Sequence, residues 1–258
     1  MPGGLDIAEH GIDSWSRMGL WLCPSRVPFP SRTALHDTLC PRAGLSYVRR
    51  HALHNPWAWS AREPDCWDCL AVCESETVLE PLRQLLGKHI VLFESRLGAS
   101  MAAPASSSQF FREGEVWPVA PLSGATAMLV LEQQWFHYIP GSHRDSELVA
   151  TGSRQLRLRP GDLLFYHPAL LQFSEQRSAE SGSSVSDYRI QYFPADALFV
   201  RDPVHQAHQI LAERWPLLNY CRYPLWLVSG TDLAGNNYAI GYGIQPGAWT
   251  DATMPFAD

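Results

Sequence analysis

The residues that could do chemistry are scattered along the chain, and most come as half-sets. Cys66, Cys69 and Cys73 have the short spacings of half a zinc site. They lie in Asp65-Cys-Trp-Asp-Cys-Leu-Ala-Val-Cys73, where those spacings put them on one helix face, and no matching second pair follows. We read them as buried packing residues. His205 and His208 share a helix face, either as half a metal site or as a solvated surface. His137 and His143 flank the turn Pro140-Gly141-Ser142. Tyr166 and His167 are a phenol and an imidazole able to exchange protons, and as chain neighbours on a strand one faces inward and the other outward. Arg189 stands between Tyr188 and Ile190 and so faces away from the side those two share. A guanidinium cannot shed its charge, so on an inner face it needs an anion; Asp187 and Glu175 are partners available nearby in sequence.

Short β-strands are the elements that must position these groups. Thr126-Ala-Met-Leu-Val-Leu131 is an apolar run of strand length, and Gln155-Leu-Arg-Leu-Arg159 alternates cleanly until Pro160-Gly161 stops it. Asp162–Tyr166 and Tyr188–Phe193 are two more predicted strands, and Ser16–Cys23 ends in a predicted edge strand. Val78–Leu86 is predicted to be an amphipathic helix stopped by Gly87, followed by a strand over Lys88–Glu94. A second helix is predicted over Asp202–Trp215, with Asp202 as N-cap and Pro203 in the first position. Residues 99–108 read as a loop, and the Ser-rich stretch 174–186 as a lid or a disordered segment. Short strands punctuated by Gly and Pro indicate a sandwich or jelly roll.

The chain has 258 residues, a formal net charge of -6, and no block of basic residues, which excludes nucleic acid as a main partner. No apolar run is long enough to span a bilayer, and the first ten residues lack a signal-peptide pattern. These features predict a soluble, cytoplasmic protein without a membrane partner. Ten Trp either pack a core or line an apolar pocket.

Four motifs in order add a resemblance. Leu86-Gly-Lys-His-Ile-Val-Leu92, Ile139-Pro-Gly-Ser-His-Arg144, Pro160-Gly-Asp-Leu-Leu-Phe-Tyr-His-Pro-Ala-Leu-Leu171 and Asp187-Tyr-Arg-Ile-Gln-Tyr192 follow one another. Their order resembles that of the phytanoyl-CoA dioxygenase-like family of iron(II)/2-oxoglutarate oxygenases, over most of residues 15–200. The resemblance implies a mainly β fold with flanking helices, built on a double-stranded β-helix (jelly roll, cupin-like). It implies a single domain over 1–258, with the β-helix core at about 88–194, an N-terminal helical part at 15–87 and a C-terminal extension at 200–258.

By that resemblance the iron ligands fall on Phe111, Glu113 and Gln172. The family's chemistry needs two imidazoles and a carboxylate. A phenyl ring has no lone pair to give and an amide carbonyl is a poor ligand for iron(II), so iron is not expected. The same resemblance makes Arg189 the clamp of the 2-oxoglutarate carboxylate, with Thr126 and Gln109 near the cosubstrate and Trp117 just beyond Glu113. No cofactor is expected, although 2-oxoglutarate could still meet Arg189.

The resulting expectation is a metal-independent enzyme of isomerase, cyclase, dehydratase or lyase type, acting on a natural-product intermediate. Glu113, Gln172, Tyr166 and His167 are its candidate catalytic groups. Arg189, Thr126, Gln109, Phe111 and Trp117 are candidates for binding an apolar substrate that bears a carboxylate or other polar group. Two alternatives stand beside it: a non-catalytic subunit of an active oxygenase, and a 2-oxoglutarate or carboxylate sensor. A homodimer, or a heterodimer with such an oxygenase, fits the first two.

Overall fold

The computed structural model describes residues 11–23, 51–54, 65–99, 110–145, 152–175, 185–216, 219–236 and 238. The chain folds as two compact units, each drawn from three stretches of sequence. Met1–Ala43, Leu97–Glu113 and Ala125–Arg189 make the first, and Gly44–Arg96, Gly114–Gly124 and Ile190–Asp258 make the second.

The first unit is an antiparallel β sandwich. Helix α1 (Gly11–Met18) turns at Gly19 into β1 (Leu20–Cys23). This strand is the edge of a sheet in the order β1, β8 (Leu163–Tyr166), β5 (Ala125–Val130), β10 (Val185–Pro194). The facing sheet runs β3 (Phe111–Arg112), β9 (Leu171–Glu175), β6 (Gln134–Tyr138), β7 (Arg154–Leu158). Strand β6 alternates buried and half-buried, as a strand with one covered face must, whereas β5 and β8 are buried at every residue. The two sheets share one core. Met128, Val130, Leu164 and Tyr166 come from one, Phe136, Tyr138 and Leu158 from the other, and Met18 and Leu20 close it from the N-terminal side. Burying each large apolar side chain there contributes about 2 kcal/mol. This is a mainly β, jelly-roll core of cupin type, as the sequence predicts.

Among the described residues, the second unit carries most of the helix. Helices α2 (Asp65–Cys73) and α3 (Glu76–Leu86) precede β2 (Ile90–Ala99), whose Ile90, Val91, Leu92 and Phe93 are all buried. Here the order is β10, β2, β12 (Trp226–Ser229), and a short pair joins β4 (Val119–Ala120) to β11 (Leu198–Phe199). The rings of Trp117, Phe199 and Tyr223 surround Phe93, each within 6.2 Å of it. Cys69 and Cys73 are buried, and Tyr192 donates its hydroxyl to the Cys73 backbone carbonyl at 2.8 Å.

Two local expectations shift. Helix α4 spans Gln206–Arg214, not Asp202–Trp215, and its N-cap is His205, whose Nδ1 accepts from Ala207 N. Asp202 instead accepts from Val204 N in the preceding turn; an Asp side chain stabilises an Asx turn as readily as a cap, and the turn wins. His208 is buried rather than solvated, with Nε2 against the Val200 carbonyl at 2.6 Å. Among the described residues no helix is long and apolar enough to cross a membrane.

Candidate functional site

The site is built on strand register. Thr126 on β5 and Tyr166 on β8 are direct antiparallel partners, so their side chains share one face of the sheet. Both reach the same group: Thr126 donates to Glu113 Oε2 at 2.8 Å, and Tyr166 donates to Glu113 Oε1 at 2.9 Å. Glu113 opens a 3-10 turn directly after β3 and its side chain is almost wholly buried. One carboxylate is thus held by two hydroxyls from paired strands.

Arg189 meets this group from β10. Its Nη1 lies 3.4 Å from Glu113 Oε1, and its Nε donates to Asp187 Oδ1 at 2.7 Å. Asp187 and Arg189 are two apart on a strand and therefore share a face. The second carboxylate is itself braced: Ser186 donates to Asp187 Oδ2 at 2.8 Å, and Gln134 Nε2 donates to the same oxygen at 3.3 Å. Burial opposes both charges, yet the pairing outweighs it. Arg189 is held well above the ordinary guanidinium range by Asp187, Tyr166 and Glu113, and Asp187 below the usual carboxylate range chiefly by Arg189. Gly98 makes room for this pair, because a Cβ there would overlap the Asp187 carboxylate.

Gln172 completes the inner row. Its cross-strand partners are Phe111 on β3 and Tyr138 on β6. The side chain is fully buried, and neither Oε1 nor Nε2 has a hydrogen-bond partner among the described residues. Phe111 sits at the rim with 37% of its surface exposed. Tyr138 is buried, which pushes its phenol up, while Arg154 opposite it on β7 acts against that rise.

The structure therefore brings Glu113, Thr126, Tyr166 and Arg189 into one network and sets Gln172 beside Phe111. His167 goes elsewhere. Tyr166 faces the core, and His167 turns to the rings of Trp15 and His143, at 5.7 Å and 5.3 Å, with Nδ1 accepting from Ala169 N. Burial there lowers it to about 4, helped by His143. Trp117 belongs to the second unit, packed on Phe93. Gln109 lies outside the described residues. Of the two partners the sequence offers Arg189, the structure pairs it with Asp187; Gln134, Ser186 and Gly98 are the members that sequence reading did not place in the site. The i, i+2 spacing of Asp187 and Arg189 was the available signal, since it seats both on one face.

The second unit holds its own buried carboxylate. Glu94 accepts from Tyr223 at 2.5 Å and from Ala52 N at 2.8 Å, and lies 3.2 Å from His51 Nδ1. Beside it, His54 Nδ1 is 2.7 Å from the Ser95 hydroxyl; full burial lowers the His54 imidazole to about 4, against the pull of Glu94.

Among the described residues, no three His, Cys, Asp or Glu side chains come together where they could hold one metal ion. The acidic groups of the network, Glu113 and Asp187, are occupied by Thr126, Tyr166, Ser186, Gln134 and Arg189.

No family model matches the sequence, and no curated protein matches it. Solved structures do match the fold. A non-heme monooxygenase, the ThoJ nickel complex, aligns over 88% of this chain and 86% of its own, with 15% identity and a TM-score of 0.58. SnoK, a non-heme alpha ketoglutarate dependent carbocyclase from nogalamycin biosynthesis, aligns over 81% and 93%, at 16% identity and a TM-score of 0.56. SnoN, a non-heme alpha ketoglutarate dependent epimerase from the same pathway, aligns over 73% and 83%, at 17% identity and a TM-score of 0.55.

Proposed function

We propose that this chain is a metal-independent enzyme in the fold of the non-heme iron oxygenases, acting on a natural-product intermediate by proton transfer. The observation that carries this reading is the Glu113 carboxylate with the Tyr166 phenol on one oxygen and the Thr126 hydroxyl on the other. A carboxylate bonded to a phenol in a buried setting is an acid–base pair: Glu113 takes a proton from a substrate C–H or O–H, and Tyr166 returns one. Isomerisation, cyclisation or elimination needs no redox cofactor for this. The donor set supports loss of the metal. By the family resemblance the ligand positions are Phe111, Glu113 and Gln172, and neither a phenyl nor an amide replaces an imidazole. SnoK and SnoN, named as carbocyclase and epimerase, lend the reading its substrate class by analogy of fold.

The engagement of Arg189 with Asp187 and Glu113 weighs against its use as a 2-oxoglutarate clamp. It also favours a second reading, a non-catalytic subunit whose former site is closed by an internal ion pair and whose partner is an active oxygenase.

The test is solvent exchange. The purified protein is incubated in D2O with a panel of aromatic ketones bearing acidic C–H bonds, and deuterium uptake is followed by mass spectrometry. Catalysed uptake that is lost in Glu113→Gln supports the enzyme. The reading fails if no ketone exchanges above background, or if the protein carries one iron per chain and releases succinate from 2-oxoglutarate.

A further inference from the structure

We infer that Gln172 is the recognition residue of a ligand subsite, and that the ligand presents a neutral donor and acceptor side by side, as a carboxamide, a lactam or an enolised dicarbonyl does. This rests on the metal-free reading above and names the substrate class it leaves open.

The starting point is an unmet demand. An amide side chain has two N–H donors and an acceptor oxygen, and Gln172 is fully buried with neither end bonded among the described residues. Buried polar groups are nearly always paired, because desolvation without a partner is costly. Packing alone gives no reason for an amide here, since a leucine would fill a similar volume at no such cost. The strand register says what surrounds it. Phe111 lies directly across on β3 and Tyr138 directly across on β6, so the amide sits between two aromatic side chains on one face. Phe111, at the rim, is partly exposed. Aromatic side chains flanking a hydrogen-bonding group suit a planar, conjugated ligand, with faces for the rings and an edge for the amide.

The chemistry of the edge follows from complementarity. Gln172 offers one acceptor and one donor in a plane, and a cis-amide or enolised dicarbonyl offers the reverse pair. A carboxylate offers acceptors only and would set an oxygen against Gln172 Oε1. The nearby cation, moreover, already faces two carboxyl groups, because Arg189 is bonded to Asp187 and lies against Glu113. An anion entering here would add a third. The subsite therefore selects against the carboxylate-bearing substrate that the family resemblance suggests.

The experiment reads binding alone, so it can fail independently of the exchange assay at Glu113. In the full-length 15N-labelled protein, the Gln172 side-chain NH2 signals are assigned by their loss in Gln172→Leu. 2-Pyridone is then titrated as a neutral cyclic amide, with benzoate and 2-oxoglutarate as anions. The expected result is that 2-pyridone shifts the Gln172 signals saturably and the anions leave them in place. Gln172→Leu should weaken 2-pyridone binding at least tenfold and raise the melting temperature of the free protein, because it removes an unmet polar group. If the leucine variant does not fold, Gln172→Met serves the same comparison. The inference is overturned if 2-pyridone leaves the signals unmoved, if benzoate shifts them as strongly, or if both apolar variants are less stable than the parent.

Discussion

Arg189 turns back along its own strand to Asp187, bonding Nε to Oδ1 at 2.7 Å, and reaches Glu113 across the core only at 3.4 Å. The local pair is therefore the tighter one, and the link to Glu113 is secondary. Asp187 is fully buried and has Ser186 and Gln134 besides, so removing the arginine leaves a buried carboxylate with neutral donors only.

Arg189→Ala is accordingly expected to destabilise the protein by about 3–5 kcal/mol, the usual cost of orphaning a buried charge. Asp187→Asn in the Arg189→Ala background should recover much of that loss. Urea denaturation of the single and double variants checks the coupling; strictly additive effects would show that the two side chains do not interact in solution.

Gly98→Ala tests the same pair from the other side. The added Cβ would overlap the Asp187 carboxylate, which is pinned by three side chains and cannot easily withdraw. A loss of about 1–3 kcal/mol is expected. Asp187→Ala should largely suppress the effect of Gly98→Ala, which a clash with the backbone alone would not do.

The β-helix was legible because its strands announce themselves. Apolar runs such as Thr126–Leu131 and breaks such as Pro160-Gly161 mark elements whatever packs on them. Strand β6 was harder to see, since Gln134, Trp135 and His137 are not a strong apolar alternation, and its buried face is set by pairing with β7 and β9. In the site, Glu113, Thr126, Tyr166 and Arg189 were legible one by one. What joins them was not: the Thr126–Tyr166 register that points two hydroxyls at one carboxylate is a relation between strands far apart in the chain. His167 was grouped with the site because it adjoins Tyr166 in sequence, but alternation separates the two side chains.

Two histidines should make the fold acid-sensitive. Folding lowers His54 to about 4 and His167 to about 4, mainly by burial, against 6.5 in the unfolded chain. Between those values the unfolded state binds more protons, so the stabilisation is complete above about pH 6.5 and is lost as pH falls toward 4. For His54, fully buried, the loss between pH 7 and pH 5 should be about 2 kcal/mol. Denaturation at the two pH values checks this; an equal loss in His54→Gln would assign it to other groups.

The last prediction concerns iron. The protein as it stands is expected to bind iron(II) weakly and to release no succinate from 2-oxoglutarate, because Phe111 and Gln172 stand where the family resemblance places imidazoles. The register makes a restoration experiment informative. Phe111 and Gln172 are direct cross-strand partners, so Phe111→His with Gln172→His would set two imidazoles on one face, with residue 113 following β3. Glu113→Asp would shorten the carboxylate and loosen its bonds to Thr126 and Tyr166. The triple variant is therefore expected to gain iron(II) affinity by at least tenfold, read by anaerobic titration. Its succinate formation should stay at background. Arg189 remains engaged by Asp187 in that variant, so 2-oxoglutarate would have to compete with a buried carboxylate for its clamp, and a misplaced cosubstrate is costly for turnover. Adding Asp187→Asn should then release the arginine and raise 2-oxoglutarate affinity over that of the triple variant. Vigorous succinate release by the triple variant alone would show that the cosubstrate seat is intact and that the ion pair with Asp187 does not close it.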